Sequence, residues 1–103
     1  MSAPILTVTV DRSGSASAIR CTGEIDLSSA PDLDREADRA LEGSPARIEL
    51  DLRAVEFIDS SGLACVLRIA EHARSTGAEF VVLPSDQVRR LVQLSGVELP
   101  LAG

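Results

Sequence analysis

AVEFIDSSGLACVLRIA, residues 54–70, changes period half-way along. From Leu63 the apolar positions Val66, Leu67, Ala70 and Ala73 fall on one face of a helix, with Arg68, Glu71 and Ser75 on another. Before it a hydrophobic run closes with Phe57 and Ile58, and Asp59, Ser60, Ser61 and Gly62 stand at the change-over. There the side chain of Asp59 or Ser60 can accept hydrogen bonds from the first free N–H groups of the helix, as good N-cap residues do. Capping leaves Gly62 unexplained, because glycine inside a helix costs about 1 kcal/mol relative to alanine. A residue without a side chain leaves the backbone bare, so that another chain can approach the hydroxyls closely. The two serines are therefore either caps or the place where a partner works.

Working outward, RIELDLRAV alternates Ile48, Leu50 and Leu52 against Glu49 and Asp51, which predicts a strand leading into this junction. Downstream, the helix is expected to run to about Thr76 and stop at Gly77. EFVVLP then reads as a short strand buried on both faces. Strand, helix and strand form a βαβ unit, whose right-handed crossover makes the two strands parallel.

Nearer the start, PILTVTVD alternates Ile5, Thr7 and Thr9 against Leu6, Val8 and Val10, DRSGSAS reads as a turn, and AIRCTGEI resumes a strand pattern. This predicts an antiparallel hairpin ending at Gly23. Ser29 and Asp32 have the S-x-x-D form of a capping box, with Pro31 in the first turn. Leu33, Ala37, Ala40 and Leu41 follow at helical spacing, opposite a solvated face of Asp34, Arg35, Asp38, Arg39 and Glu42, and Gly43 is placed to end the helix. Ser85 starts a third helix with Val88, Leu91 and Val92 inward and Gly96 at its close, after which VELPLAG is too short for another. The expected class is α/β: a mixed β-sheet, with an N-terminal hairpin plus parallel strands, packed with about three α-helices.

With 103 residues and 45% hydrophobic content, the chain suits one core and is too short for two ordinary domains. A single domain over residues 1–103, with its core at about 4–99, is expected. The only aromatics are Phe57 and Phe80, so Val, Leu, Ile and Ala must fill the core, and no stacking platform exists for single-stranded nucleic acid. Sixteen acidic against 10 basic residues, every basic one arginine, give a formal charge of −6. That field opposes phosphate backbones and anionic lipid, so neither nucleic acid nor membrane is an expected partner. Cys21 and Cys65 each stand alone in apolar surroundings, without zinc or C-x-x-C spacing, and read as buried free thiols. The start of the chain lacks a basic n-region and no segment approaches the ~20 apolar residues of a membrane span, which points to a cytoplasmic protein.

Common catalytic signatures are missing. There is no G-x-S-x-G elbow, H-E-x-x-H pair or G-x-x-x-x-G-K-[ST] loop, and RSGSAS lacks the glycine spacing of a dinucleotide fingerprint. The single histidine, His72, falls one turn after Arg68 on the polar side of its helix and is expected in solvent. No cofactor, no metal and no enzymatic activity are expected.

Two stretches together carry a family resemblance. FIDSSGLACVL resembles the signature of STAS domains of the anti-sigma factor antagonist type, the anti-anti-sigma factors, and TGEIDLSSAPDL looks like that family's earlier G-E-[LI]-D element. Their separation, their strand-to-helix setting and the order of elements agree with the family over about residues 4–99. The resemblance implies that Ser60 is the phosphate acceptor, framed by Asp59, Ser61 and Gly62, while Asp26, with Glu24 a weaker candidate, helps form the docking surface. It also implies the partners: an anti-sigma factor with an ATP-binding serine kinase domain, and a serine phosphatase that resets the switch. The unphosphorylated form would bind the anti-sigma factor and release its sigma factor, and phosphorylation would end the binding.

Two alternatives stand beside this. One is a constitutive STAS scaffold in a stress-signalling or lipid-transport assembly, with serines that only cap. The other, a small hydrolase with Ser60 as nucleophile, lacks a base, because His72 lies about three turns along the same helix. Family members usually continue into a further strand and a terminal helix, whereas this chain stops at Gly103. Either the domain is a shortened version or a partner or second copy covers the surface left open.

Overall fold

The computed structural model describes residues 4–102. In chain order the elements are β1 (Leu6–Ser13), β2 (Ala16–Ile25), α1 (Ala30–Leu41), β3 (Arg47–Ile58), α2 (Ser60–Ser75), β4 (Glu79–Pro84) and α3 (Asp86–Ser95). The sheet has the order β1-β2-β3-β4. β1 and β2 are antiparallel, whereas β2 with β3 and β3 with β4 are parallel. The predicted hairpin and crossover are present, and α1 makes a second crossover, so that the sheet holds two parallel pairs where the pattern had indicated one.

β2 runs two residues past Gly23. That glycine sits inside the strand at φ 115, where a β-carbon would run into the Ile5 carbonyl crossing over it. α1 packs on β1, β2 and α2, α2 on β3 and β4, and α3 on β3 and β4. Between them Ile19, Ile25, Leu33, Ile48, Leu50, Leu52, Val66, Val82 and Val88 are wholly buried. The aliphatic core expected from two phenylalanines is what the chain builds.

Three further expectations change. EFVVLP is an edge strand: only Val82 is buried, with Phe80, Val81 and Leu83 half-buried. Its outer side is met by the C-terminal stretch, where Val82 N–H donates to Pro100 O at 2.9 Å and Ala102 N–H to Val82 O at 2.8 Å. Ser29 stands at the N-cap of α1 and Pro31 in its first turn, but the Ser29 side chain makes no cap bond, so the capping box does not form. The face of α1 opposite the core is also not purely solvated: Asp34 accepts from Arg68 Nη2 at 2.9 Å and from Cys65 Sγ at 3.1 Å, tying α1 to α2.

At the start of α3, Ser85 does cap, accepting from Val88 N–H at 3.3 Å, and Gly96 closes that helix at φ 71. Both cysteines are buried and free. His72 is exposed, with Nδ1 3.6 Å from Asp38.

Candidate functional site

Parallel pairing of β2 with β3 brings the two motifs to one end of the sheet. Glu24 pairs with Phe57 and Ile25 with Ile58, and Asp59 N–H donates across to Ile25 O at 3.3 Å. The loop after β2 and the start of α2 therefore lie side by side, although more than thirty residues separate them in the chain.

The start of α2 divides its tasks among neighbours. Asp59 is the N-cap, extended at φ −111 and ψ −172, and its Oδ1 accepts from Gly62 N–H at 3.0 Å. Its carbonyl accepts from Leu63 N–H at 2.9 Å. Of the two capping candidates in the sequence, it is Asp59 that caps. Ser60 is the first helical residue, exposed, and no hydrogen bond engages its hydroxyl among the described residues. Ser61 is half-buried and lines a hollow of about 240 Å³ with Leu27, Ala30, Pro31, Ala64 and the Asp34–Arg68 pair.

Gly62 is buried, and a β-carbon on it would stand 2.5 Å from Ile25 O, 2.8 Å from Ile58 Cγ1 and 2.9 Å from Ile25 Cγ2. The close approach that its missing side chain permits is made by the protein's own β2. The expectation that Gly62 bares the backbone to another chain is corrected accordingly.

On the adjoining loop, Asp26 Oδ1 accepts from Ser28 Oγ at 2.7 Å, Ser28 N–H at 2.9 Å and Ser29 N–H at 3.0 Å. These bonds, the Ser28 hydroxyl first, hold the Asp26 carboxyl below the usual aspartate range. Ser29 Oγ donates to Glu24 O at 2.8 Å and accepts from Asp26 N–H at 2.9 Å. This is why it does not cap α1: its hydroxyl ties the turn to the end of β2 instead. The Glu24 side chain is exposed at the same end.

All six sequence-predicted residues thus gather on two adjoining strand ends. Sequence reading passed over the large apolar side chains beside them: Ile5, Leu27 and Phe57, with Leu27 77% exposed. Leu27 carried a signal, an apolar residue in a polar turn that neither strand nor helix period requires. Among the described residues no group of three or more His, Cys, Asp or Glu could hold a metal. His72 lies near the far end of α2, so no imidazole base stands beside Ser60.

Comparison with known proteins agrees with this architecture. The family described as "Mlab, STAS domain" matches residues 8–101. The chain belongs to the STAS domain family, as FIDSSGLACVL and TGEIDLSSAPDL had indicated. It is 32% identical over 99 residues to the anti-sigma-F factor antagonist RsfB of Mycobacterium tuberculosis, covering 95% of this chain and 81% of that protein. The crystal structure of an anti-sigma factor antagonist from Mycobacterium paratuberculosis superposes with a TM-score of 0.84 at 31% identity, over 98% of this chain and 89% of that one. The anti-sigma factor antagonist SpoIIAA in its unphosphorylated form shares the fold, with a TM-score of 0.78 at 23% identity over 93% and 86% of the two chains. Among the described residues no helix is long and apolar enough to cross a membrane.

Proposed function

We propose that this protein is an anti-sigma factor antagonist, a one-domain cytoplasmic switch that binds an anti-sigma factor when Ser60 is unmodified and loses it when Ser60 is phosphorylated. The observation that carries this reading is the division of tasks at the start of α2: Asp59 caps, and the exposed Ser60 hydroxyl is left without structural employment. The names of the relatives at 31% and 32% identity point the same way.

In the transfer, Ser60 Oγ attacks the γ-phosphorus of ATP, the bond to the β–γ bridging oxygen breaks, and ADP leaves. The hydroxyl proton passes to a base. Nucleotide, metal and base belong to the anti-sigma factor's serine kinase domain, because this chain offers a hydroxyl and a shape and performs no catalysis itself. Asp26 and Glu24 help form the docking surface beside Asp59 and Ser61. Gly62 acts indirectly, by letting α2 start close against β2.

Phosphorylation adds about −1.5 to −2 charges and three acceptor oxygens. The helix N-terminus tolerates that anion through its free N–H groups and dipole, so the fold survives while the interface is lost. A serine phosphatase restores the binding form.

The test incubates purified protein with the host's anti-sigma kinase and ATP and reads the modified residue by mass spectrometry. Phosphate should appear on wild type and on Ser61→Ala, and not on Ser60→Ala. Ser60→Asp leaves the Asp59 cap in place and puts a carboxylate in the first turn of α2, where the helix dipole favours an anion, so it should remain folded and lose the partner. Full partner binding by folded Ser60→Asp would sink the proposal.

A further inference from the structure

A single exposed apolar side chain is ordinary on a protein surface. Here they are grouped. Of the four large exposed apolar residues among those described, Ile5, Leu27 and Phe57 stand at the end of the sheet that carries Ser60, and Leu94 alone lies elsewhere, on α3. Ile5 and Phe57 occupy one row across the strands, because Glu24 N–H donates to Ile5 O at 2.9 Å and Glu24 is paired with Phe57. Leu27, 77% exposed, walls the hollow of about 240 Å³ that Ser61 and Ala64 line. Segments 24–28 and 56–61, which build this end, contain Glu24, Asp26, Glu56 and Asp59 and no arginine.

We infer that Leu27 and Phe57 are the anchors that set affinity and specificity at this surface, and that the partner presents apolar hollows flanked by arginine or lysine. The inference rests on the proposed antagonist role and deepens it. Phosphoryl transfer requires the reacting atoms to close to about 3–3.5 Å. A kinase that reaches Ser60 so closely comes down on this end of the sheet, beside the Leu27 loop that shares a hollow with Ser61 and next to the strand end where Phe57 stands exposed. Desolvated apolar anchors carry most of the affinity of protein interfaces, while surrounding charges steer the approach. The same anchors account for the switch, since a hydrated dianion set among apolar contacts and carboxylates has to be stripped of water before the surfaces can close.

The experiment takes as its probe the protein with an ATP-binding serine kinase domain that the unsubstituted chain retains from its host's lysate, then purified. Wild type, Leu27→Ala, Phe57→Ala, Leu94→Ala and Ser60→Asp are titrated with it, and circular dichroism confirms that each is folded. Leu27→Ala and Phe57→Ala should each raise Kd by about tenfold or more, mainly through faster dissociation, with Leu94→Ala unchanged. Should Phe57→Ala fail to fold, Leu27→Ala, in an exposed loop, decides alone. If Ser60→Asp loses binding while Leu27→Ala and Phe57→Ala bind like Leu94→Ala, the anchors are wrong and the antagonist role stands. If no such kinase is retained, or if Ser60→Asp binds like wild type, the antagonist role falls and the anchors with it.

Discussion

Gly62 packs against the carbonyl of Ile25, so closely that a β-carbon on it would lie 2.5 Å from that oxygen. Gly62→Ala improves helix propensity by about 1 kcal/mol, yet forces either α2 or the end of β2 to move. A backbone carbonyl cannot turn aside as a flexible side chain can. Gly62→Ala should therefore be less stable than wild type by about 1–3 kcal/mol, the usual cost of overpacking. Urea unfolding measures this, and an unchanged midpoint would contradict the packing described.

Removing the cap and removing the serine should have unequal effects. Asp59→Ala loses the bond to Gly62 N–H and should cost about 1 kcal/mol, as N-cap deletions do. Ser60→Ala removes a hydroxyl that bonds to nothing within the chain, and its stability should stay within about 0.5 kcal/mol of wild type. Thermal melts of the two variants side by side compare them, and a larger loss in Ser60→Ala would assign the cap to the wrong residue.

Acidification should destabilise the fold in part through Asp51. Arg53 Nη2 donates to its Oδ2 at 2.8 Å and Arg53 Nε to its Oδ1 at 3.0 Å, with Arg20 Nε at 3.5 Å. The hydrogen bonds from Arg53 hold its carboxyl below the ordinary 3.8. A carboxyl whose folded pKa is depressed adds stability that is complete above the unfolded value and is lost as pH falls through the folded one. Unfolding free energy should decline below about pH 4, and Asp51→Asn should be weaker at neutral pH while flattening that decline. A variant with the same acid limb as wild type would exclude Asp51 as the cause.

Both thiols should be inert in the folded state. Burial, with Asp51 nearby, pushes Cys21 up to about 12. Burial, with the Asp34 hydrogen bond, does the same to Cys65, also to about 12. Thiolate is the reactive form, so iodoacetamide at mildly alkaline pH should label neither cysteine in the native protein and both in urea. Native labelling of either would mean that the helical layer over β2, where α1 packs on β2 and on α2, opens.

Period and punctuation along the chain determined the elements: the alternation of Ile48, Leu50 and Leu52, the helical stripe from Leu63 to Ala73, and the capped start at Ser85 are all present as strand or helix. Each of these depends on which faces of a residue's own element are covered, and that much is written locally. Tertiary structure decided what depends on a distant neighbour. Ser29 has the spacing of a cap, but its hydroxyl is captured by Glu24 O and Asp26 N–H once β2 ends beside it. EFVVLP has the composition of a central strand, but its place in the sheet order leaves it at an edge that Pro100–Ala102 only partly covers. Gly62 could be read from sequence as an opening for a partner, because nothing near it in the chain shows that pairing with β3 carries Ile25 to its side. The elements followed from short-range pattern. The choice of Asp59 over Ser60 as cap is a local bond to Gly62 N–H that spacing alone left open, whereas bringing Leu27 beside Ser61 required the pairing of two strand ends, a long-range contact that no local period encodes.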